Sequence, residues 1–138
     1  MTKILLLLFL AFTIQKAHSQ DIDMEPPIID LTKIVIVNSN MDSVIYSKSD
    51  KFPTELKIKN GTKVRFDYIG KVNVKPDKVV YRVKLKGYDT DWTPVTSNNF
   101  VVYDNLKEGD YALSVLACNS SGLWTVDPFT YKFKIKSR

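Results

Sequence analysis

The segment GYDTDW, residues 87–92, carries the side chains best suited to chemistry in this sequence. Asp89 and Asp91 offer carboxylate oxygens, the ligands a hard cation such as Ca2+ takes. Two acids supply only a fragment of its shell of roughly six to eight ligands. A turn explains the same residues: Gly87 supplies backbone freedom, and the aspartates accept from nearby amides. The turn is the stronger reading, and no metal is expected. Tyr88 and Trp92, with Trp124 further along, are rings on which a sugar could stack. Such rings also bury large areas and commonly pack a core or corner. The candidate ligand surface is therefore Tyr88, Asp89, Asp91, Trp92 and Trp124, with packing as the competing role of its aromatics.

Composition excludes most other chemistry. The one histidine, His18, falls in an N-terminal leader. The domain beyond it lacks the imidazole that Ser–His–Asp or Cys–His catalysis and His-ligated metals require. Paired carboxylates hydrolyse glycosides when held across a cleft, but with 15 Asp and Glu in the chain chance pairs are common. No catalytic residue and no cofactor is expected. Cys118 is the single cysteine, so no intrachain disulfide forms, and it reads as a half-buried thiol. The formal net charge is +5. The lysines alternate along strand-like runs instead of forming a block, which indicates solvated faces and no nucleic-acid partner.

Residues 1–19 read as a secretory signal peptide. Lys3 gives a positive start, residues 4–14 form an apolar run, and Ala17 and Ser19 are the small residues before a cut at Gln20. A bilayer span needs about 20 apolar residues, which neither this run nor any later stretch reaches. The chain is expected to be exported, to the periplasm or the cell exterior, with no membrane span after signal cleavage. Residues 20–27 are acidic, carry Pro26 and Pro27, and read as a flexible lead. Residues 28–138 read as one domain.

The elements that position these side chains are strands. Residues 28–37 are apolar and β-branched, and residues 38–51 are polar with an apolar break at 44–46. Leu56 and Ile58 alternate with Glu55, Lys57 and Lys59, and Val64, Phe66 and Tyr68 alternate with Lys63, Arg65 and Asp67. Asn60-Gly61 between them is a hairpin signal, because both residues of such a turn take positive φ. Val79, Tyr81, Val83 and Leu85 alternate with Arg82, Lys84 and Lys86, feeding the Asp/Trp loop. Residues 100–103, 111–117 and 129–135 complete the set, and no 3.6-residue period is sustained. About seven short strands with turn signals between them predict an antiparallel β-sandwich.

The stretch YDNLKEGDYALSVLACNSSGLW, residues 103–124, is more specific. Leu106, Gly109 and Tyr111 have the spacing of a tyrosine corner, in which a Tyr hydroxyl bonds to backbone just upstream. Fibronectin type III domains share this pattern, followed by an apolar alternation and a hairpin glycine, here Val115, Ala117 and Gly122. The sandwich is accordingly Ig/fibronectin type III-like. Together with YRVKLKGYDTDW and FTYKFKI, these segments resemble the three-tyrosine (Y_Y_Y) domain of bacterial hybrid two-component regulators. The tyrosines matching its pattern are Tyr81, Tyr103 and Tyr111, and Gly87, Trp92, Gly122 and Trp124 match its other recurring positions. The resemblance covers residues 54–135.

In that family the domain lies between a β-propeller and the transmembrane helix of an extracytoplasmic sensor. Neither flanking part is recognisable here, so the resemblance implies a stand-alone module. It implies a non-enzymatic role in protein association, with a homodimer or a larger extracytoplasmic sensor or surface protein as partner. A carbohydrate-binding module that takes a glycan on the loop aromatics is the alternative, and a remnant without its own role is the third reading. Association is expected at the last strand, YKFKIK, read as paired on one side only, where outward lysines discourage indiscriminate pairing. An acidic partner would use the same lysines as a selective, salt-sensitive rim.

Overall fold

The computed structural model describes residues 21–137, and the predicted signal peptide and its cut lie outside this range. Hydrophobic alternation builds eight strands: β1 (Ile28–Val37), β2 (Ser43–Ser47), β3 (Glu55–Ile58), β4 (Lys63–Lys71), β5 (Val80–Lys86), β6 (Phe100–Asp104), β7 (Gly109–Cys118) and β8 (Phe129–Ser137). One 3-10 turn, Pro76–Lys78, precedes β5. The strands form two four-stranded sheets, in the orders β2-β1-β4-β6 and β3-β8-β7-β5. All pairings are antiparallel except that of β3 with β8. The inward residues meet in one core, where Ile34, Val64 and Phe66 of the first sheet face Leu85, Leu113 and Val115 of the second, all fully buried. A buried side chain of this kind stabilises by about 1.5–3 kcal/mol, so the shared core closes the sandwich.

There is one strand more than the alternation indicates. The apolar break at 44–46 is β2, which pairs only with β1. Asn60-Gly61 does not make a hairpin. Thr62 N–H donates to the Lys59 carbonyl at 3.3 Å, and of the two turn residues only Gly61 has positive φ. That is the signature of a type II turn, and it carries the chain from the second sheet into the first. Alternation shows which face of a strand is buried and is silent on which strand lies beside it.

The last strand is likewise not a one-sided edge. β8 pairs with β7 along Phe129–Ile135 and with β3 from Lys134 to Ser137. Nor is the lead loose throughout. Asp23 is buried, and its Oδ2 accepts the N–H groups of Asn73 and Val74 at 3.2 and 3.3 Å. Asn119 Nδ2 donates to the carbonyls of Asp23 and Glu25 at 3.0 and 2.8 Å. An acid and an amide 96 residues apart in sequence thus hold residues 23–25 against the sandwich.

Candidate functional site

The GYDTDW loop and the residues that follow it, as far as Thr96, cover the edge of β5. One side of β5 faces β7, and among the described residues no strand lies on the other. Its backbone groups there find partners all the same. Tyr81 and Thr96 exchange two backbone bonds, at 2.8 and 3.0 Å. Thr93 N–H donates to the Val83 carbonyl at 2.8 Å, and the Thr93 hydroxyl accepts the Val83 N–H at 3.0 Å. The Leu85 carbonyl accepts from Tyr88 and Asp89, while Asp89 Oδ2 accepts the Leu85 N–H at 2.8 Å. An edge left open would be a template for another strand. Gly87 starts the reversal at φ +101, and a Cβ there would lie 3.0 Å from both the Asp110 carbonyl and the Tyr111 ring. Both the conformation and the space call for glycine.

Three tyrosine hydroxyls brace the sandwich around this loop. Tyr81 of β5 accepts the Gly70 N–H of β4 at 2.9 Å, linking the two sheets. Tyr103 of β6 donates to Asp89 Oδ2 at 3.1 Å, linking the first sheet to the loop. Tyr111 donates to the Lys107 carbonyl at 2.7 Å, the geometry of a tyrosine corner, with Leu106 buried beside it. Gly109, which opens β7, has a positive φ. Burial raises the pKa of Tyr103, and the Asp89 charge raises it further. Burial also raises that of Tyr111. Both remain protonated donors at neutral pH. A fourth tyrosine differs: the Tyr68 hydroxyl is buried without a partner, its ring 5.2 Å from that of Tyr81.

The candidate ligand residues do not form one surface. Asp89 accepts two structural hydrogen bonds through Oδ2, and exposed Asp91 accepts its neighbour's amide, Trp92 N–H, at 2.7 Å. Among the described residues no three His, Cys, Asp or Glu side chains gather. Trp92 is half-buried in the loop beside β5. Trp124 follows the Gly122 turn, bridges Cys118 on the far side of β7, and is exposed instead of packed in the core. β5 and β7 thus stand between the two tryptophans, three strand spacings or about 14 Å. Tyr88 is half-exposed and sets its ring edge-on to Tyr103, at 5.2 Å. Cys118 is buried, its Sγ 3.4 Å from the Asn119 carbonyl, and burial pushes the thiol pKa up.

Two structural residues carry no sequence signal. A Cβ on Gly70 would meet Val79, Ala117 and Pro27 at 3.1–3.2 Å. Asn119, besides holding the lead, accepts the Ser121 and Leu123 amides.

Residues 72–136 match the model of the Y_Y_Y domain. This segment of the chain is similar to Y_Y_Y domains. Its fold is similar to two extracellular domains from B. thetaiotaomicron. One, from a one-component system, is 21% identical with a TM-score of 0.57, over 86% of this chain and 17% of that one. The other, from a hybrid two-component system, is 20% identical with a TM-score of 0.57, over 83% and 16%. This chain therefore spans about a sixth of the length of those proteins. No curated protein matches it.

The Y_Y_Y segment supplies β5 to β8, including all three brace tyrosines, while β1 to β4 precede it. The two sheets of the sandwich present different outer faces. On the first, Ile45, Val35, Arg65 and Val102 form one row across all four strands. Phe100 and Ile69 lie close by, and the Arg65 guanidinium sits 4.0 Å over the Phe100 ring while paired to Asp67 at 2.8 Å. On the second, Arg82, Lys84 and Lys86 of β5 and Lys132, Lys134 and Lys136 of β8 point outward on either side of β7.

Proposed function

We propose that this chain is an exported, non-catalytic Y_Y_Y module that acts by association with a second copy of itself. The observation that carries this reading is the row Ile45–Val35–Arg65–Val102, apolar but for Arg65, with Ile45 and Val102 exposed and Arg65 paired to Asp67. Apolar side chains aligned across a solvent face suit a protein contact. Along β4 and β6 the face is also self-complementary. A twofold axis crossing β4 between Arg65 and Asp67 sets each Arg65 against the other copy's Asp67, and each Val102 against Phe100, as an isologous interface requires. Four strands span about 19 Å, and the longest strands about 30 Å. The resulting area, about 600 Å2 per copy, falls short of the roughly 800 Å2 of a standard interface, so the dimer is weak and concentration-dependent.

Export is supported by the signal-like leader and by the extracellular neighbours, and no described helix is long and apolar enough to cross a membrane. Mass spectrometry of protein recovered from the cell envelope should find an N-terminus at Gln20, and an intact leader there would contradict export. For association, the test is sedimentation velocity of residues 20–138 over rising concentration. Reversible dimerisation is expected, abolished in Val35→Glu/Val102→Glu. A strict monomer, or a dimer that survives the double change, would overturn the reading in favour of another partner or another face.

A further inference from the structure

We infer that the outer face of the second sheet is a docking trough for an extended acidic polypeptide segment. The trough lies on the face opposite the one proposed for self-association and is independent of it. β5 and β8 line it with bases, and between them β7 presents Ala112, Ser114 and Leu116. Register places Lys86, Ala112 and Lys132 in one row, and Lys84, Ser114 and Thr130 in the next. At the Lys86 end of this face the small Ala112 leaves a groove of about 610 Å3, with Lys86, Lys132 and Lys134 among its walls. Among the described residues Lys84, Lys86 and Lys132 have no ion-pair partner, while Lys134 and Lys136 reach Asp110 and Glu55 at 3.8 and 3.5 Å. Asp110 is the one acid in the groove wall.

Spacing selects the occupant. Residues on one face of a strand repeat about every 6.8 Å, and β5 and β8 lie two strand spacings apart, about 9.6 Å. An extended polypeptide laid along β7 has the same pitch, sending alternate side chains left and right at about 6.8 Å intervals. Acidic residues of such a segment then meet Lys84 and Lys86 on the β5 flank and Lys132 and Lys134 on the β8 flank, the two flanks staggered so that they share the Lys86–Lys132 row. A charged polysaccharide spaces its carboxylates by its sugar repeat, which has no reason to follow the strand repeat.

The test is fluorescence anisotropy at low salt with a labelled polyglutamate peptide of about ten residues, beside a polygalacturonate of equal charge. Two variants with the same net charge are compared, Lys86→Glu/Lys132→Glu in the trough and Lys63→Glu/Lys78→Glu away from it, each checked for folding by circular dichroism. The expected result is peptide binding that weakens at least about tenfold in the trough variant and less than about threefold in the control, and that fades towards about 150 mM salt. Absence of peptide binding, equal loss in the two variants, or tighter binding of polygalacturonate would overturn the inference.

Discussion

The β5 edge and the outer face of the first sheet are both places where a β-sandwich can meet another chain, and they are finished in opposite ways. At β5 the backbone groups of Tyr81, Val83 and Leu85 are satisfied by the protein's own loop, and the Asp89 carboxylate that helps do so is fixed in turn by Tyr103. On the first sheet Ile45 and Val102 stand exposed at the ends of a row that no other described element covers. Polar groups held by internal hydrogen bonds are not available to a ligand, whereas exposed apolar area is. Asp89 and the brace tyrosines Tyr81, Tyr103 and Tyr111 therefore build the module, and the less conspicuous row is the better candidate for contact.

Breaking the sealed side should have the largest effect on stability. Asp89→Ala leaves the Leu85 N–H and the Tyr103 hydroxyl without acceptors, and should cost about 2–4 kcal/mol in chemical denaturation. Tyr81→Phe removes the acceptor of the Gly70 N–H and should cost about 1–3 kcal/mol. Tyr68→Phe is its internal control. Deleting a buried hydroxyl that has no partner should leave stability unchanged or raise it. Equal losses in the two tyrosine variants would mean that ring packing, not the hydroxyl brace, is what matters.

On the open side Val102→Glu should change stability by less than about 0.5 kcal/mol, as surface substitutions generally do, while weakening self-association. The smallest effect concerns Asp30, also on the first sheet. Hydrogen bonds from Lys48, at 2.7 Å, and from Lys71, at 2.8 Å, hold its carboxyl below the ordinary Asp value of 3.8. A depressed acid contributes stability above its unfolded pKa and loses it as pH falls through the folded one. The lysines are largely exposed, so solvent screens the pair and the contribution is slight. Asp30→Asn should be slightly less stable than the parent at neutral pH, with the difference vanishing as denaturation is followed from about pH 5 down to pH 2.

Much of this architecture was legible in the sequence because alternation reports burial directly. Phe66, Leu85, Leu113 and Val115 announce their inward phase, and Leu106, Gly109 and Tyr111 announce a local bond whose partners lie four residues apart. Pairing between distant segments leaves no such mark. Nothing in TELKIKNGTKVRF separates a hairpin from a crossover between sheets, and nothing in YKFKIK reveals that β3 lies beside it. The Asp23–Asn119 clasp joins residues with no periodic relation. The aromatic loop residues suggested a platform by type alone, but β5 and β7 separate Trp92 from Trp124. The first-sheet row is invisible in one dimension, since its members come from four strands and meet only through register.

That row is also where the central claim is most exposed to test. Amide chemical shifts of the isotopically labelled residues 20–138, followed by NMR as the protein is diluted, locate any self-contact residue by residue. The expected result is concentration-dependent shifts at Val35, Ile45, Arg65, Asp67 and Val102, with the β5 loop and the β7–β8 lysine face unmoved. Shifts confined to β5, β7 or β8, or none at any concentration, would contradict association through the first sheet.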